Sequence, residues 1–329
     1  MDKLLDKATK QETNKTNRNN KKAPYKDTNS VPIAIFNSTK KDWESVYSHE
    51  STTNIEAFSV LTYNVLFDIF DPEYKYSKER WHEQFLEFER LSPSVLVLQE
   101  VRLNYLALLM ENKFIRQNYI IVTDKKKYFA NYSTILVVKK TISIENSFSY
   151  FYQTYGAETT HAMCAKLKFN NISFVVIGVH LRPYAENESM RQFQLKELHD
   201  LLQNVINPNS WLICGDFNFE CKTEFIDNEY FEDCWVKLRP KESGITFDAV
   251  KNHLIYWKGI IRSNTRNRLD RMILKKGSPL LPTQIDIVIN KSLADVDAKY
   301  TKSIEKASKI YLSDHFGLLL KFAVENNIK

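Results

Sequence analysis

A short apolar stretch that ends in a carboxylate and an amide has the residue types and spacing that could catalyse a reaction. Residues 211–214 (Trp-Leu-Ile-Cys) are too short for a helix and follow the turn signal Asn-Pro-Asn-Ser, so they predict a buried strand. Gly215 lets the backbone turn as it leaves that strand. Asp216 and Asn218, two apart on extended backbone, then point the same way. Such a pair can orient a water molecule and hold an oxyanion, although Gly, Asp and Asn are also ordinary turn residues.

Four other predicted strands also end in polar residues. Polar side chains at the end of an apolar strand cost desolvation free energy unless they are paired or bind something. One such end is unremarkable, but five in one chain are hard to explain as caps and turns. Oxygen ligands suit a hard cation such as Mg²⁺, whereas histidine and asparagine suit stabilisation of a charged phosphoryl group. The four strand ends are Tyr63-Asn64, Gln99-Glu100, Val179-His180 and Ser313-Asp314-His315.

Short strands that alternate with helical patterns must position these ends. An Asn170-Asn171 turn predicts a hairpin, and residues 188–205 predict an amphipathic helix with Phe193 among its inward apolar residues. Hairpins mixed with strand–helix units predict an α/β fold of two packed mixed sheets with helices outside. The predicted strands are 58–64, 94–99, 133–138, 163–169, 172–180, 211–214, 268–274, 284–289 and 316–324, and the other helices are 78–91 and 103–112.

The first 50 residues differ in composition from the rest of the chain. Lys, Asn and Thr dominate residues 1–41 and apolar residues are few, so residues 1–50 predict a disordered tail. Its basic residues are scattered, which favours a solvated tail over a nuclear-targeting signal or a nucleic-acid tether. No repeat and no linker occurs within residues 55–325, so residues 51–329 predict one catalytic domain.

Composition narrows the class of protein. The net charge of +6 permits a polyanionic partner without requiring one. No apolar run of about 18 residues and no apolar N-terminal segment occurs, so we expect neither a membrane helix nor a secretory signal. The cysteines form no CxxC pair and indicate reduced thiols of an intracellular protein, nuclear or cytoplasmic, which we expect to be monomeric. They are Cys164, Cys214, Cys221 and Cys234.

Six motifs occur in the order known from one family. They are Thr62-Tyr63-Asn64, Leu98-Gln99-Glu100, His180-Leu181, Gly215-Asp216-Phe217-Asn218, Arg268-Leu269-Asp270-Arg271 and Ser313-Asp314-His315. In these motifs, over about residues 58–322, the chain resembles the endonuclease/exonuclease/phosphatase superfamily. That superfamily includes DNase I-like nucleases, abasic-site endonucleases, deadenylases and inositol-phosphate phosphatases. The resemblance implies a four-layer α/β/β/α sandwich with Mg²⁺, or Mn²⁺ as a substitute, at one edge of the paired sheets.

The resemblance also implies which motif residues hold the metal and the water. Glu100 would be the main Mg²⁺ ligand, with Asn64 beside it and Asp314 as a further ligand, direct or through water. Asp216 would orient or deprotonate the attacking water. Asn218 would hold the phosphate or the charge that develops on it.

Two histidines would face the phosphate if the resemblance holds. His315 would contact a non-bridging oxygen, and Asp270 would fix the ring and tautomer of His315. His180 would be the second phosphate-side histidine. The alternative for Asp270 is an ordinary ion pair with Arg268 or Arg271.

Within the superfamily the chain is most similar to the 5′-tyrosyl-DNA phosphodiesterase branch. The similarity rests on the Thr-Tyr-Asn start, the Arg191–Gln194 segment, residues 246–248 with Asn252, and the Arg-Leu-Asp-Arg motif. Arg191 and Gln194 lie one helical turn apart and could reach the site together, the alternative being a solvated helix face. Residues 219–222 lack the arginine expected there in this branch.

A basic run precedes and enters the strand that carries the Arg-Leu-Asp-Arg motif. Its arginines are predicted to contact the phosphate backbone of a nucleic acid, and the alternative is that they pair with surface carboxylates. The run comprises Arg262, Arg266, Arg268 and Arg271.

Together these features predict a Mg²⁺-dependent phosphodiesterase that acts at a nucleic-acid end, single-stranded or 5′. A 5′-phosphotyrosyl linkage, and with it DNA repair, is the first choice. An RNA exonuclease of the deadenylase type and a small-molecule or lipid phosphodiesterase are the alternatives. A catalytically inactive binding module would need one of Glu100, Asp216 or His315 replaced, and all three are present.

Overall fold

Two mixed β-sheets pack face to face in the computed structural model, which describes residues 28–68, 76–123, 132–153, 161–203, 210–220, 229–252, 254–255, 264–293 and 311–324. The helices are α1 (Ser77–Leu91), α2 (Leu103–Glu111), α3 (Lys113–Asn118), α4 (Glu188–Leu201) and α5 (Cys234–Leu238). The strands are β1 (Thr28–Ser30), β2 (Ile33–Asn37), β3 (Asp42–Val46), β4 (Ala57–Asn64), β5 (Val95–Val101), β6 (Tyr119–Val122), β7 (Ser133–Lys139), β8 (Ser143–Phe151), β9 (His161–Phe169), β10 (Ile172–His180), β11 (Trp211–Asp216), β12 (Phe231–Asp233), β13 (Phe247–Asp248), β14 (Arg266–Asn267), β15 (Asp270–Lys275), β16 (Leu281–Val288) and β17 (Gly317–Ala323).

The seven-stranded sheet brings three polar strand ends into one row. Its order is β1-β8-β9-β10-β11-β15-β12. Parallel β10 and β11 pair His180 with Asp216, and antiparallel β15 pairs Asp270 with Asp216. Because directly opposed residues share a face of the sheet, the three side chains are neighbours at its edge.

The eight-stranded sheet supplies the facing half of the same edge. Its order is β16-β17-β4-β5-β7-β6-β2-β3, with β4 and β5 parallel and Asn64 paired with Gln99. The β5–β7 register shifts between Leu98 and Val101, and Glu100 within this bulge has φ 59°. A bulge re-aims the side chain that it contains. Asn64 and Glu100, two of the polar residues predicted at strand ends, therefore lie on adjacent strands at this edge of the sheet.

Apolar side chains fill three layers around the sheets. The interface between the sheets contains fully buried residues from both, such as Phe58, Val97 and Leu212. Helices α1 to α3 cover the outer face of the eight-stranded sheet, and α4 covers the outer face of the seven-stranded sheet. The four-layer α/β/β/α sandwich predicted from the sequence is confirmed. In the part of the chain that the structure describes, no helix is long and apolar enough to cross a membrane.

The predicted boundary of the N-terminal tail at residue 50 is wrong. Strand β1 pairs with β8 in one sheet, and β2 pairs with β6 and β3 in the other. Val31 and Ile33 are fully buried between the sheets. The apolar patch at residues 32–36 is too short to bury itself, but it is long enough to extend an existing sheet. The rest of the predicted tail, residues 1–27, lies outside the described residues.

Helix α4 buries most of the face predicted to point inward, including Leu195 and Leu198, but not Phe193. Phe193, expected to point inward, is 55% exposed, whereas Arg191 and Gln194 are fully buried. The helix turns this way because the two polar side chains bind backbone groups of the loop after β10. Residues 204–205, the end of the predicted helix, lie outside the described residues. The predicted hairpin is confirmed, with φ 46° at Asn170 and 65° at Asn171 between β9 and β10.

Candidate active site

One carboxylate oxygen, Oδ2 of Asp216, is surrounded by groups from both sheets. Asn64 Nδ2 donates to it at 3.2 Å. His180 Nε2 lies 3.5 Å away and His315 Nε2 lies 3.7 Å away. Asp216, Asn64 and His315 are all buried. The strand ends predicted to meet do meet, and Asp216 lies at their centre.

The local backbone explains how Asp216 reaches this position. Gly215 has φ 147°, and a Cβ added there would lie 2.0 Å from the Val179 carbonyl oxygen, so only glycine fits. Asn218, at φ 51°, donates its backbone N–H to Asp216 Oδ1 at 2.8 Å and its side-chain amide to the Leu181 carbonyl at 3.0 Å. Asn218 therefore lies beside Asp216, where the sequence placed it, and its amide also ties β11 to the loop after β10.

His315 forms a pair with Asp270 inside the site. Its Nδ1 lies 2.8 Å from Asp270 Oδ2, which leaves Nε2 facing Asp216. Burial lowers the pKa of His315, but the charges of Asp270 and Asp216 outweigh burial and raise the pKa well above its ordinary value. His315 is therefore the cationic histidine of the site. The alternative ion pair of Asp270 with arginine is not what the structure shows.

His180 differs from His315 in its protonation. Burial lowers the pKa of His180, and the attraction of Asp216 does not compensate. The ring also packs against Tyr132, with 5.5 Å between ring centroids. Two histidines near one carboxylate thus prefer opposite charge states, an arrangement typical of acid–base sites.

Glu100 and Asp314 supply carboxylates on the other side of Asn64. Burial and the charge of Asp314 raise the pKa of Glu100 to about 8. Glu100 accepts hydrogen bonds from Asn64 Nδ2 at 3.2 Å and from the Phe67 backbone N–H at 3.2 Å. Two neighbouring half-buried carboxylates repel each other without a cation, and their oxygens are the ligands that Mg²⁺ prefers. The donor set therefore fits the predicted metal.

A second group of potential ligands fits Mg²⁺ less well. Ligand atoms of Asp216, Asp270 and His315 lie within 4.8 Å of one another. However, His315 Nδ1 is already bound to Asp270, and an imidazole suits softer ions better than Mg²⁺. The pair Glu100 and Asp314 is the better candidate for a hard cation.

Asn64 connects the two groups of carboxylates. Its Oδ1 accepts the Leu66 backbone N–H at 3.1 Å, which turns Nδ2 towards Glu100 and Asp216. The sequence suggested Asn64 as a metal ligand, but in this arrangement it is the amide nitrogen that faces the carboxylates. Ser313 Oγ donates to the Asn64 carbonyl at 2.6 Å and so joins this strand end to the segment that carries Asp314.

Residues 246–252 support His315 and Asp270 from the side. Thr246 Oγ1 accepts the Asp270 backbone N–H at 3.1 Å. The Phe247 ring lies 5.1 Å from the His315 ring, centroid to centroid. Asn252 Nδ2 donates to the Ser313 carbonyl at 2.7 Å. The segment noted in the sequence thus belongs to the site, as a support.

Arg191 and Gln194 lie under the loop that follows His180. Arg191 donates to the carbonyl oxygens of Arg182 and Tyr184 at 2.8 and 2.6 Å, and Gln194 Oε1 accepts the Arg182 backbone N–H at 3.2 Å. Neither forms a solvated helix face. The structure corrects their expected direct contact with substrate to a role in holding this loop.

The basic run is largely paired with carboxylates. Arg266 lies 3.2 Å from Asp248 Oδ2, and Arg268 and Arg271 both contact Asp233, at 2.9 and 3.2 Å. Only Arg266 among these three keeps a substantially exposed side chain, at 48%. The alternative of ion pairing is therefore what the structure shows for these three. Arg262, the fourth, lies outside the described residues.

Sequence reasoning missed two aromatic residues next to the site. The rings of Phe67 and Tyr132 stack with centroids 5.1 Å apart, and Tyr132 also touches His180. Burial and the charge of Glu100 raise the pKa of Tyr132 to about 12, so its hydroxyl stays protonated. The sequence position of Tyr132 could have indicated this location, because Tyr132 directly precedes β7 and β7 pairs with β5, the strand that carries Glu100.

This geometry can be compared with known proteins. The model of the Endonuclease/Exonuclease/phosphatase family matches residues 61–315, a range that includes every motif residue from Thr62 to His315. The chain belongs to this family. The family predicted from the six motifs is thereby confirmed, and its members are hydrolytic enzymes. A search of curated proteins finds no match to the chain.

Solved structures share the fold of this family member. D. rerio TDP2 complexed with single strand DNA product is 18% identical, with a TM-score of 0.66 over 82% of this chain and 100% of that chain. TDP2 from C. elegans is 18% identical, with a TM-score of 0.64 over 82% and 75%. The human Nocturnin catalytic domain with bound sulfate anion is 19% identical, with a TM-score of 0.59 over 81% and 93%. At these identities the likeness shows the fold alone.

The pairing of Asp270 with His315 gives a testable expectation for this endonuclease/exonuclease/phosphatase site. If Asp270 acts only by orienting and charging His315, Asp270→Asn should lower kcat less than His315→Ala does. The double variant should be no worse than His315→Ala alone, because the partner has already been removed. The measurement is kcat for the four proteins on one phosphodiester. Additive losses would instead show that Asp270 has a second function.

Proposed function

We propose that this protein is a Mg²⁺-dependent phosphodiesterase that hydrolyses phosphodiester bonds at nucleic-acid ends, with a 5′-tyrosyl–DNA linkage as the preferred substrate. The observation that carries the proposal is the position of Asp216 Oδ2 between Asn64, His180 and His315. A carboxylate held by an amide and faced by one neutral and one cationic histidine can activate water beside an anionic phosphate.

Each residue has a physical task in this reaction. Asp216 accepts the proton of the attacking water or holds the water in line, since its Oδ2 faces the site. His315, kept cationic by Asp270, stabilises negative charge that develops on the phosphate oxygens. His180, kept neutral by burial, donates a hydrogen bond to phosphate from Nε2. Asn218 orders the loop beside Asp216 and, as proposed from the family resemblance, holds the phosphate.

Glu100 and Asp314 would hold Mg²⁺. When bound, the cation polarises the phosphoryl oxygens and neutralises their developing charge. Its binding would also stabilise the ionised form of Glu100, which burial and the charge of Asp314 disfavour. Asn64, which donates to both Glu100 and Asp216, fixes the relative position of these two carboxylates.

Two features support the tyrosyl-DNA substrate. The stacked rings of Phe67 and Tyr132 lie next to Glu100 and His180, where an aromatic leaving group could pack. The TDP2 structures with the same fold include one complexed with single strand DNA product. We further propose that the protein is a monomer that acts in DNA repair. The buried free thiols of Cys164, Cys214 and Cys234 support an intracellular location.

A small phosphodiester is the second candidate, and the ion pairs favour it. Arg266, Arg268 and Arg271 are engaged by Asp248 and Asp233, which leaves less positive charge for a phosphate backbone. If the substrate is a strand, each phosphate contact releases counterions, and binding weakens with salt by a log–log slope of about −0.7 per contact. An RNA exonuclease of the deadenylase type stays the third possibility.

A substrate panel tests the proposal. We expect purified protein with Mg²⁺ to cleave 5′-tyrosyl single-stranded DNA faster than plain single-stranded DNA, poly(A), inositol phosphates or a minimal aryl phosphodiester. Asp216→Asn provides the background rate for each substrate. Equal turnover of the minimal aryl ester and the tyrosyl strand, with no salt dependence, would favour the small phosphodiester. Preference for poly(A) would favour the exonuclease.

A further inference from the structure

Helix α1 carries two buried polar side chains that lie outside the reacting centre. Arg80 and Gln84 are fully buried although both are strongly polar. They are four residues apart and therefore lie on the same side of the helix, one turn after the other. Burial of a guanidinium costs free energy unless its N–H groups are used. Their partners therefore indicate why they are there.

Both side chains donate to the same two backbone carbonyls. Arg80 Nη1 lies 2.9 Å from the Leu312 oxygen and 3.4 Å from the Val65 oxygen. Gln84 Nε2 lies 2.7 Å from the Leu312 oxygen and 3.1 Å from the Val65 oxygen. We call this arrangement, Arg80 and Gln84 on the carbonyls of Val65 and Leu312, the carbonyl clamp.

The two carbonyls belong to two segments of the candidate active site. Val65 directly follows Asn64, which contacts both Glu100 and Asp216. Leu312 directly precedes the Ser-Asp-His segment that carries His315. The segments are distant in sequence, and the clamp fixes their separation from behind the reacting groups.

The clamp is itself held in one orientation. Tyr105, on α2, donates its hydroxyl to Gln84 Oε1 at 3.0 Å, so the amide nitrogen of Gln84 must face the carbonyls. Arg80 Nη2 lies 3.3 Å from Ser77 Oγ. The negative charge of Asp314 also interacts favourably with the Arg80 guanidinium. The clamp thus places a positive charge behind a carboxylate proposed to hold the metal.

We propose that Arg80 and Gln84 are positioning residues for the reaction, which set the distance between Asn64 and the Asp314–His315 segment. The inference rests on the proposed phosphodiesterase function, because that is the site they position. An error of about 1 Å in such a site can cost about 10²-fold in rate. Neither residue contacts the reacting atoms, and their effect passes through the backbone.

The test compares clamp variants with a matched core variant of the same helix. Arg80→Met and Gln84→Met keep the bulk and remove the donors, whereas Arg80→Lys keeps the charge and loses the fork of N–H groups. Phe85→Leu reduces the apolar core contact of α1, including the contact with the Tyr105 ring, but removes no hydrogen-bond donor or acceptor of the clamp. The readouts are kcat and KM on the preferred panel substrate, Mn²⁺ binding by the protein alone followed by electron paramagnetic resonance, and the melting temperature.

The clamp variants should lose more than stability. We expect Arg80→Met and Gln84→Met to lower kcat by up to about 10²-fold with KM nearly unchanged, and to bind Mn²⁺ more weakly. Arg80→Lys should recover part of both losses. Phe85→Leu should lower the melting temperature but keep kcat and Mn²⁺ affinity.

Two outcomes separate the inference from the proposed function. If kcat and Mn²⁺ affinity of the clamp variants change no more than in Phe85→Leu, the clamp is structural and the inference is wrong. If the wild-type protein cleaves none of the phosphodiesters, the proposed function fails, and Mn²⁺ affinity alone then decides about the clamp. Should Arg80→Met not fold, Gln84→Met and Arg80→Lys give the same comparison.

Discussion

Asp216→Asn should lower kcat by about 10²–10⁴-fold, the loss that follows removal of a general base. The amide has nearly the same shape as the carboxylate, and its one oxygen can still accept from the Asn218 backbone or from Asn64, but not from both, because the two donors bind different oxygens of Asp216. What it loses is the negative charge that activates water and attracts the imidazolium of His315. The expected result is therefore a large change in kcat with a small change in melting temperature, both measured on the same preparation.

A matched control separates this effect from a general change of charge. Asp286, on β16, pairs with Arg239 away from the site, so Asp286→Asn should leave kcat unchanged. His315→Ala should lower kcat by about 10²–10³-fold, as does removal of one group that stabilises an oxyanion. Near-normal turnover by Asp216→Asn or His315→Ala would contradict the roles given to these side chains.

The location of the site could be predicted because it depends on strand ends. Asn64, Glu100, His180 and Asp216 each close an apolar run, and parallel neighbours must end at the same edge. The types of residue then indicated the chemistry. The sequence could not give the charge states, because the opposite pKa shifts of the two histidines depend on distances of a few ångströms across the two sheets.

Side chains whose partners lie outside their own helix or strand were the ones predicted least well. Arg191 was predicted to contact substrate, with a solvated helix face as the alternative, but it binds the carbonyls of a loop. Arg268 and Arg271 belong to the basic run predicted to contact phosphates, but both form ion pairs with one aspartate, Asp233 on β12. Strand β2 was not predicted for the same reason. The apolar patch at residues 32–36 is buried only because it pairs with β6, a strand that lies elsewhere in the sequence.

Each sheet contributes one half of the candidate site. The seven-stranded sheet provides His180, Asp216 and Asp270 in one row, and the eight-stranded sheet provides Asn64 and Glu100. The narrow gap between the halves needs a small residue at Gly178, where a Cβ would lie 2.7 Å from Val97 Cγ1. Packing of the two sheets therefore determines the distance between the group that activates water and the group that binds the metal.

Glu100→Gln should abolish most activity while the fold persists, and raised Mg²⁺ or added Mn²⁺ should restore part of it. The glutamine keeps one oxygen ligand but removes the charge that attracts the cation. Asp314 stays in place as a charged ligand, which is why partial recovery is expected. The measurement is turnover as a function of metal concentration for wild type and variant, with EDTA as the metal-free reference.

Stability without metal provides an independent test of the same assignment. Burial and the charge of Asp314 raise the pKa of Glu100 to about 8, so the folded protein binds this proton more tightly than the unfolded chain does. Stability of the metal-free wild type should therefore fall as pH rises from the unfolded pKa, about 4.3, to the folded one. Glu100→Gln cannot ionise and should lose this pH dependence, with a melting temperature in EDTA at pH 8 no lower than that of wild type. A variant less stable than wild type under those conditions would contradict the raised pKa of Glu100, and full wild-type activity in EDTA would show that the reaction does not need a cation at Glu100.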